Sequence, residues 1–265
     1  MRRRLLPLAA LGVCVLAFAA AAAADGDPAS DVLYLKNVYL PYPAPTAAAG
    51  RALEQAVAQA YTRRFRIKAA VIATAPDLGA VPELFNKPTQ YAKFLGTELQ
   101  SFYVGPLLIA MPTGFGIYDG GRSTAAEERV LAAITTRATN ATDLTRLSAS
   151  VVQRMTAAGA LRSKDITKPF AFALPSSGSR GAPTRLRYSA SDDSMRSRIQ
   201  VRITSRTGGT VASIRTPLRL LQPQRIGTLT WHAPRTAPAR LRFCVVAVDA
   251  AGNRSAPACA SLKLR

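Results

Sequence analysis

The spacing of the apolar residues changes once along this 265-residue chain, and that change limits the possible folds more than any other feature. From Thr46, Leu53, Val57, Ala60/Tyr61 and Arg64/Phe65 recur at helical intervals, as do Tyr91, Phe94, Leu95, Leu99 and Phe102, and later Leu144, Leu147, Val151 and Met155. From Thr184 the interval falls to two: Leu186 and Tyr188, then Ile199, Val201 and Ile203, then Val211 and Ile214, with further apolar segments at Ile226–Trp231 and Leu241–Val248. A period of 3.6 gathers one stripe of a helix and a period of two gathers one face of a strand, so the two halves cannot share one architecture. The expectation is an α/β domain over residues 25–167, a linker over 168–183 and an all-β sandwich over 184–265. The linker KPFAFALPSSGSRGAP is placed by its Pro, Gly and Ser content and its lack of helical period.

Within the first domain, Gly105–Gly121, GPLLIAMPTGFGIYDGG, is the segment the others pack around. Leu107–Met111 is five consecutive apolar residues, too short to span a bilayer and suited to a strand covered on both faces; a Pro-Thr-Gly turn then returns the chain as a hairpin. Asp31–Leu40 has β propensity and ends at Pro41 and Pro43, which predicts a strand or extended arm. Ile67–Ala73 predicts a buried strand, and Thr74–Lys87 a loop before a helix starting near Pro88. Thr124 and Glu127 have capping-box spacing and predict a helix over Glu127–Ala138, followed by another from Thr142 or Asp143 to Ala158.

Met1–Ala24 carries three arginines, an apolar stretch and Ala22-Ala23-Ala24, the layout of a cleavable secretory signal peptide; an uncleaved anchor is the alternative. Cys14 follows Val13 and not the small residue a lipoprotein signal requires, so it is not read as a lipidation site. Cys244 and Cys259 lie in the exported part, where one disulfide is the simplest arrangement.

The formal charge of +20 is uneven. Residues 25–120 hold eight Lys or Arg and eight Asp or Glu, whereas residues 170–265 hold sixteen against Asp192, Asp193 and Asp249 alone. Such an excess attracts anionic polymers or headgroups. Because the arginines are scattered over many short segments, the first reading is a solvated face, with a dedicated polyanion surface as the second.

The order LPYP, a long helix, IKAAVIA, YAKFLGTEL, LLIAMP and GFGIYDGG, from Val32 to Leu131, resembles the TPM domain. That resemblance implies an exported or membrane-tethered α/β fold; some TPM proteins are phosphatases or take part in membrane-protein assembly and repair. Where the family has a polar Asp-Asn-Gly-like turn, this chain has Phe102-Tyr103-Val104-Gly105-Pro106. The ending FCVVAVDAAGNRSAPACASLKL resembles bacterial immunoglobulin-like or fibronectin-type modules, with Asp249, Gly252 and Asn253 at the last hairpin turn and Cys244 with Cys259 clamping its strands.

Candidate chemistry gathers where an open α/β sheet binds ligands, beyond the strand ends. Asp77 with Asp119 is a candidate Ca or Mg pair, and the backbone of Gly120 and Gly121 with Ser123 and Thr124 a candidate anion cradle at a helix start. Turn chemistry is the competing reading of those glycines. Asp192, Asp193, Asp249 and Asn253 offer a loop-end calcium site, again against plain turn chemistry. His232 is the only histidine and sits beside Trp231, read as a core aromatic, so no Ser-His-Asp or Cys-His set is available to the α/β domain. No phosphate-binding Gly-Lys loop and no zinc spacing occurs. The leading expectation is therefore a secreted cell-envelope protein without enzymatic activity and without a cofactor. Its basic module would contact an anionic wall polymer, the membrane surface or another envelope protein. A metal-assisted phosphatase is the alternative, and nucleic acid the least fitting partner for an exported chain lacking interleaved surface aromatics.

Overall fold

The computed structural model describes residues 26–138, 140–161, 163–222 and 225–265; the signal peptide expected at Met1–Ala24 lies outside the described residues. The described chain opens on a helix where a strand was expected. Asp27 caps α1 (Pro28–Leu35), its carboxylate accepting from the Ala29 amide at 3.1 Å, and Pro28 supplies the first helical residue. This cap outweighs the β propensity of Val32–Tyr34, and only β1 (Val38–Tyr39) remains extended. The Tyr91 hydroxyl donates to the same carboxylate at 2.8 Å, tying the start of α1 to the helix that carries Tyr91.

After β1 come α2 (Ala47–Thr62), β2 (Lys68–Val71), two short 3-10 turns, α3 (Pro88–Glu98), β3 (Leu107–Met111), β4 (Gly114–Tyr118), α4 (Ala125–Ala132) and α5 (Ala141–Ala157). The sheet runs β1-β2-β3-β4, parallel through β3 and antiparallel at β4, so the expected hairpin is present with Pro112 and Thr113 in its loop. Every residue of β3 is buried. Leu53 and Val57 of α2 and Val152 and Met155 of α5 cover one face, over Ala69, Val71 and Leu108. Leu33, Tyr91 and Leu95 of α1 and α3 cover the other, over Ala70, Ile72 and Ile109. The sheet grows in one direction while its two crossover helices lie on opposite faces, so one crossover departs from the right-handed rule. Gly116 lets α3 approach β4: a Cβ there would stand 2.2 Å from the Pro88 carbonyl oxygen.

The expected capping box does not form. At the start of α4 the Thr124 hydroxyl donates to Glu128 at 2.7 Å and caps no amide. The helix stops six residues short of Ala138, ahead of the β-branched run Ile134-Thr135-Thr136.

The segment expected to be a linker is mostly sandwich. β5 (Phe170–Leu174) and β6 (Ser176–Gly178) lie within it, separated by Pro175 where the chain passes from one sheet to the other. In β5 the alanines face the core and the phenylalanines face outward, so the apolar pattern shows no alternation in the sequence. The connection between the domains is therefore residues 158–169. The remaining strands are β7 (Pro183–Ser191), β8 (Arg196–Ser205), β9 (Thr210–Arg215), β10 (Arg219–Leu220), β11 (Gly227–His232), β12 (Arg240–Asp249) and β13 (Ala258–Leu264). One sheet is β11-β7-β5; the other runs β10-β8-β12-β13-β6, with β9 also paired to β8. Leu186, Leu229 and Trp231 meet Ile203, Phe243, Val245 and Leu262 between them. This is an immunoglobulin-like sandwich with its first strand divided between the sheets. Cys244 and Cys259 are register partners on β12 and β13 and form the expected disulfide.

Candidate functional site

Asp77 and Asp119 do not meet. Asp77 follows the end of β2, whereas Asp119 follows β4, whose last residue Tyr118 pairs with Leu107 opposite the start of β2. The two carboxylates stand at opposite ends of the sheet and cannot share a cation. Asp77 is 2% exposed and accepts from the Tyr42 amide at 2.7 Å, from the Ala73 and Thr74 amides at 2.9 and 2.8 Å and from the Thr74 hydroxyl at 3.1 Å. These donors come from the segments leaving β1 and β2 toward opposite faces, the crevice where α/β sheets place ligands. Asp77 therefore fills that crevice as a staple. Asp119 is buried as well and accepts from the Ser163 hydroxyl at 2.8 Å, which in turn accepts from Arg122 at 2.9 Å. Gly120 and Gly121 have φ of 56° and 82°, the left-handed turn conformation. Beyond them, with Ser123 and Thr124, α4 carries Glu127, which is buried, and Glu128, which is exposed and accepts from the Thr124 hydroxyl, so an incoming anion meets the Glu128 carboxylate.

The acids of the sandwich have a different task. Asp192 and Asp193 lie between β7 and β8 and Asp249 ends β12; Asp193 reaches the α/β domain directly, Asp249 is linked toward it through Asn253, and Asp192 is held by Ser194 in the same loop. The Asp193 carboxylate is ion-paired with Arg66 at 2.9 Å, and its backbone carbonyl accepts from Asn37 at 2.8 Å. Asn253 donates to Asp249 at 2.8 Å and to the Asp165 carbonyl at 3.1 Å, and Ala250 packs on the α/β core. Burial, reinforced by the Asp193 and Asp249 carboxylates, pushes Asp165 up to about 7. Burial pushes Asp192 up to about 8, against the Ser194 hydroxyl bonded to it, and raises Asp249. Lys68 is pushed down to about 7 by burial while donating to Leu33 O, Lys36 O and Asn37 Oδ1 at 2.7, 2.7 and 2.9 Å. Asp192 and Asp249, weighed between a calcium site and turn chemistry, make turn bonds to Ser194 and Asn253, Asp193 and Asn253 join the two domains, and no group of three His, Cys, Asp or Glu among the described residues is arranged to hold a metal ion.

With its acids at the junction, the sandwich presents an uncompensated positive face. Outward residues of the larger sheet include Arg198 and Arg202 on β8, Arg215 on β9, Arg240 and Arg242 on β12 and Lys263 on β13. Arg254 joins them through a 2.9 Å bond to Gln200. Residues scattered over 66 positions of sequence come together because strand alternation sends every second one to the same side. Register partners such as Arg240 and Lys263 stand about 5 Å apart in backbone, inside the screening length of about 8 Å at physiological salt. Two ion pairs occur among the described residues, Arg66 with Asp193 at the junction and Arg146 with Asp143 within α5, and neither involves this face. His232 is exposed on β11 of the opposite sheet, and Trp231 is in the core.

No protein-family model matches this chain, and no curated protein matches it. Solved structures share limited likeness with it. Fibronectin(III)-like modules of CbhA from Clostridium thermocellum are 18% identical over 39% of this chain and 50% of that chain, with a TM-score of 0.28. The SrpA adhesin from Streptococcus sanguinis is 19% identical over 38% of this chain and 60% of that one, at 0.27. A chitin binding domain from Burkholderia pseudomallei is 15% identical over 35% and 57%, at 0.26. This chain thus spans half to three fifths of the length of those structures, and at these scores the likeness says nothing of function.

Proposed function

We propose that this protein is an exported, non-enzymatic binding protein of the cell envelope, whose sandwich docks its positive sheet face on an anionic wall polymer. The observation that carries this reading is the face formed by Arg198, Arg202, Arg215, Arg240, Arg242, Arg254 and Lys263, with the acids of the domain turned to the junction. A polymer fits this face better than a membrane. Phe170 and Phe172 are on the other sheet and Leu220 stands at the β10 edge beside Arg196, so no exposed large apolar side chain stands among Arg202, Arg215, Arg240, Arg242 and Lys263 to insert among acyl chains.

The test is co-sedimentation of the mature protein with purified wall carrying its anionic polymer, with wall stripped of that polymer and with anionic vesicles. Retention on intact wall alone, reduced at least tenfold in an Arg202→Gln/Arg242→Gln variant, supports the reading. Equal retention on stripped wall, or retention on vesicles only, overturns it.

A further inference from the structure

A cleft of about 700 Å³ lies between the domains, enclosed by the end of α1, β1 and α2 on one side and by the start of β8 with β10 on the other. That volume is in the range of small-molecule sites. Its floor is apolar: Leu35, Val57, Met195, Leu220 and Leu221. Leu35 and Leu220 remain 43% and 68% exposed there, an arrangement that leaves apolar surface in water unless something covers it. Its mouth is cationic, with Lys36, Arg51, Arg196 and Arg225 against the single carboxylate of Glu54. None of these four cations is ion-paired among the described residues.

We infer that this cleft binds a single-chain amphiphilic anion, its acyl chain along the floor and its carboxylate or phosphate head among the four cations. An apolar floor alone accepts any oily ligand, and a cationic mouth alone any small anion. Their combination selects a molecule carrying both parts, because each half of the ligand meets the surface that compensates its desolvation. The cleft adjoins the outer sheet face at its β10 edge, where Arg196 shares the parity of Arg198 and Arg202, but Arg202 and Arg242 do not line it, so a second ligand class joins the polymer proposed above.

Calorimetric titration of the mature protein with decanoate, dodecanoate and dodecyl phosphate, kept below micelle formation, tests the inference. Dodecyl glycerol and dodecyltrimethylammonium serve as neutral and cationic counterparts. Binding of the anions should tighten roughly threefold to fourfold for each added methylene. It should weaken at least tenfold in Arg51→Gln/Arg196→Gln and in Leu35→Asn/Leu220→Asn, the latter changing exposed side chains that the fold does not need. Preference for the carboxylate or for the phosphate identifies a fatty acid or a phosphorylated lipid as the source, and either supports the inference. Equal binding of the neutral or cationic amphiphile overturns it, as does affinity independent of chain length or unchanged in both variants. The Arg202→Gln/Arg242→Gln protein should bind the amphiphile normally, so failure here is distinguishable from failure of the polymer reading.

Discussion

Asp193→Asn removes one charge from the domain junction while preserving the shape of the side chain. Asp193 and Arg66 are 14–15% exposed and 2.9 Å apart, and removing one member of a buried pair costs about 3–5 kcal/mol because the other is left without a counter-ion. The full cost is not expected at every pH. Asp165 is fully buried with one carboxylate oxygen unpartnered, and the Asp193 charge helps hold it up to about 7. Without Asp193, Asp165 ionises at lower pH and becomes the counter-ion for Arg66. At pH 8 Asp165 is already ionised and its repulsion from Asp193 is relieved, so the expected loss is about 1–2 kcal/mol; at pH 5 ionising it costs extra, and the loss approaches about 3 kcal/mol. Urea denaturation at both pH values gives the losses, and carboxyl NMR titration should place the Asp165 midpoint below its wild-type value. Equal losses at the two pH values, or an unmoved Asp165 midpoint, would refute the reasoning.

Replacing Cys244 and Cys259 together by Ser should cost about 3 kcal/mol, the chain-entropy value for a loop of this size, measured as a lower urea midpoint of the sandwich that reductant reproduces in the wild type. Tyr91→Phe should cost about 1.5–3 kcal/mol in denaturation of the α/β domain, because the buried Asp27 carboxylate loses its side-chain donor. Stability should also vary with pH in two directions. Asp165 and Asp192 are raised from 3.8 to about 7 and about 8, so above pH 4 the unfolded chain releases their protons first and stability falls until about pH 8. Lys68 is lowered from 10.5 to about 7, so between those values the folded chain holds fewer protons than the unfolded one and stability rises with pH. Thermal melts at pH 5, 7.5 and 9.5 should therefore show a minimum near 7.5, and a monotonic series contradicts these assignments.

Periodic segments were legible in the sequence. The run Leu107–Met111, buried on both faces, the stripe of α5 and the alternation of β8 and β12 are each where their pattern placed them. α1 was hidden because a two-residue signal, Asp27-Pro28, overrides the propensity of the residues after it. β5 was hidden by its inversion, with Ala171 and Ala173 inward and Phe170 and Phe172 outward. The junction could not be seen from local spacing: Asn253 reaches Asp165 across 88 positions, and Asn37 reaches Asp193 across 156. The positive face did leave a trace, since Arg240 and Arg242 alternate on one strand and Arg198 and Arg202 share a parity on another. Only the strand register shows that Arg202 and Arg242 are diagonal neighbours across β8 and β12.

On the function proposed above, the outer sheet face holds an anionic polymer through its cations. The most direct measurement is the salt dependence of binding to the purified wall polymer, wild type against Arg202→Gln/Arg242→Gln. Each cation that neutralises a polymer charge releases a condensed counterion, so log K should fall linearly with log salt concentration, and the double variant should lose roughly 1.4–1.8 from the magnitude of the slope. Binding that is insensitive to salt, or a slope identical in the two proteins, would contradict the account.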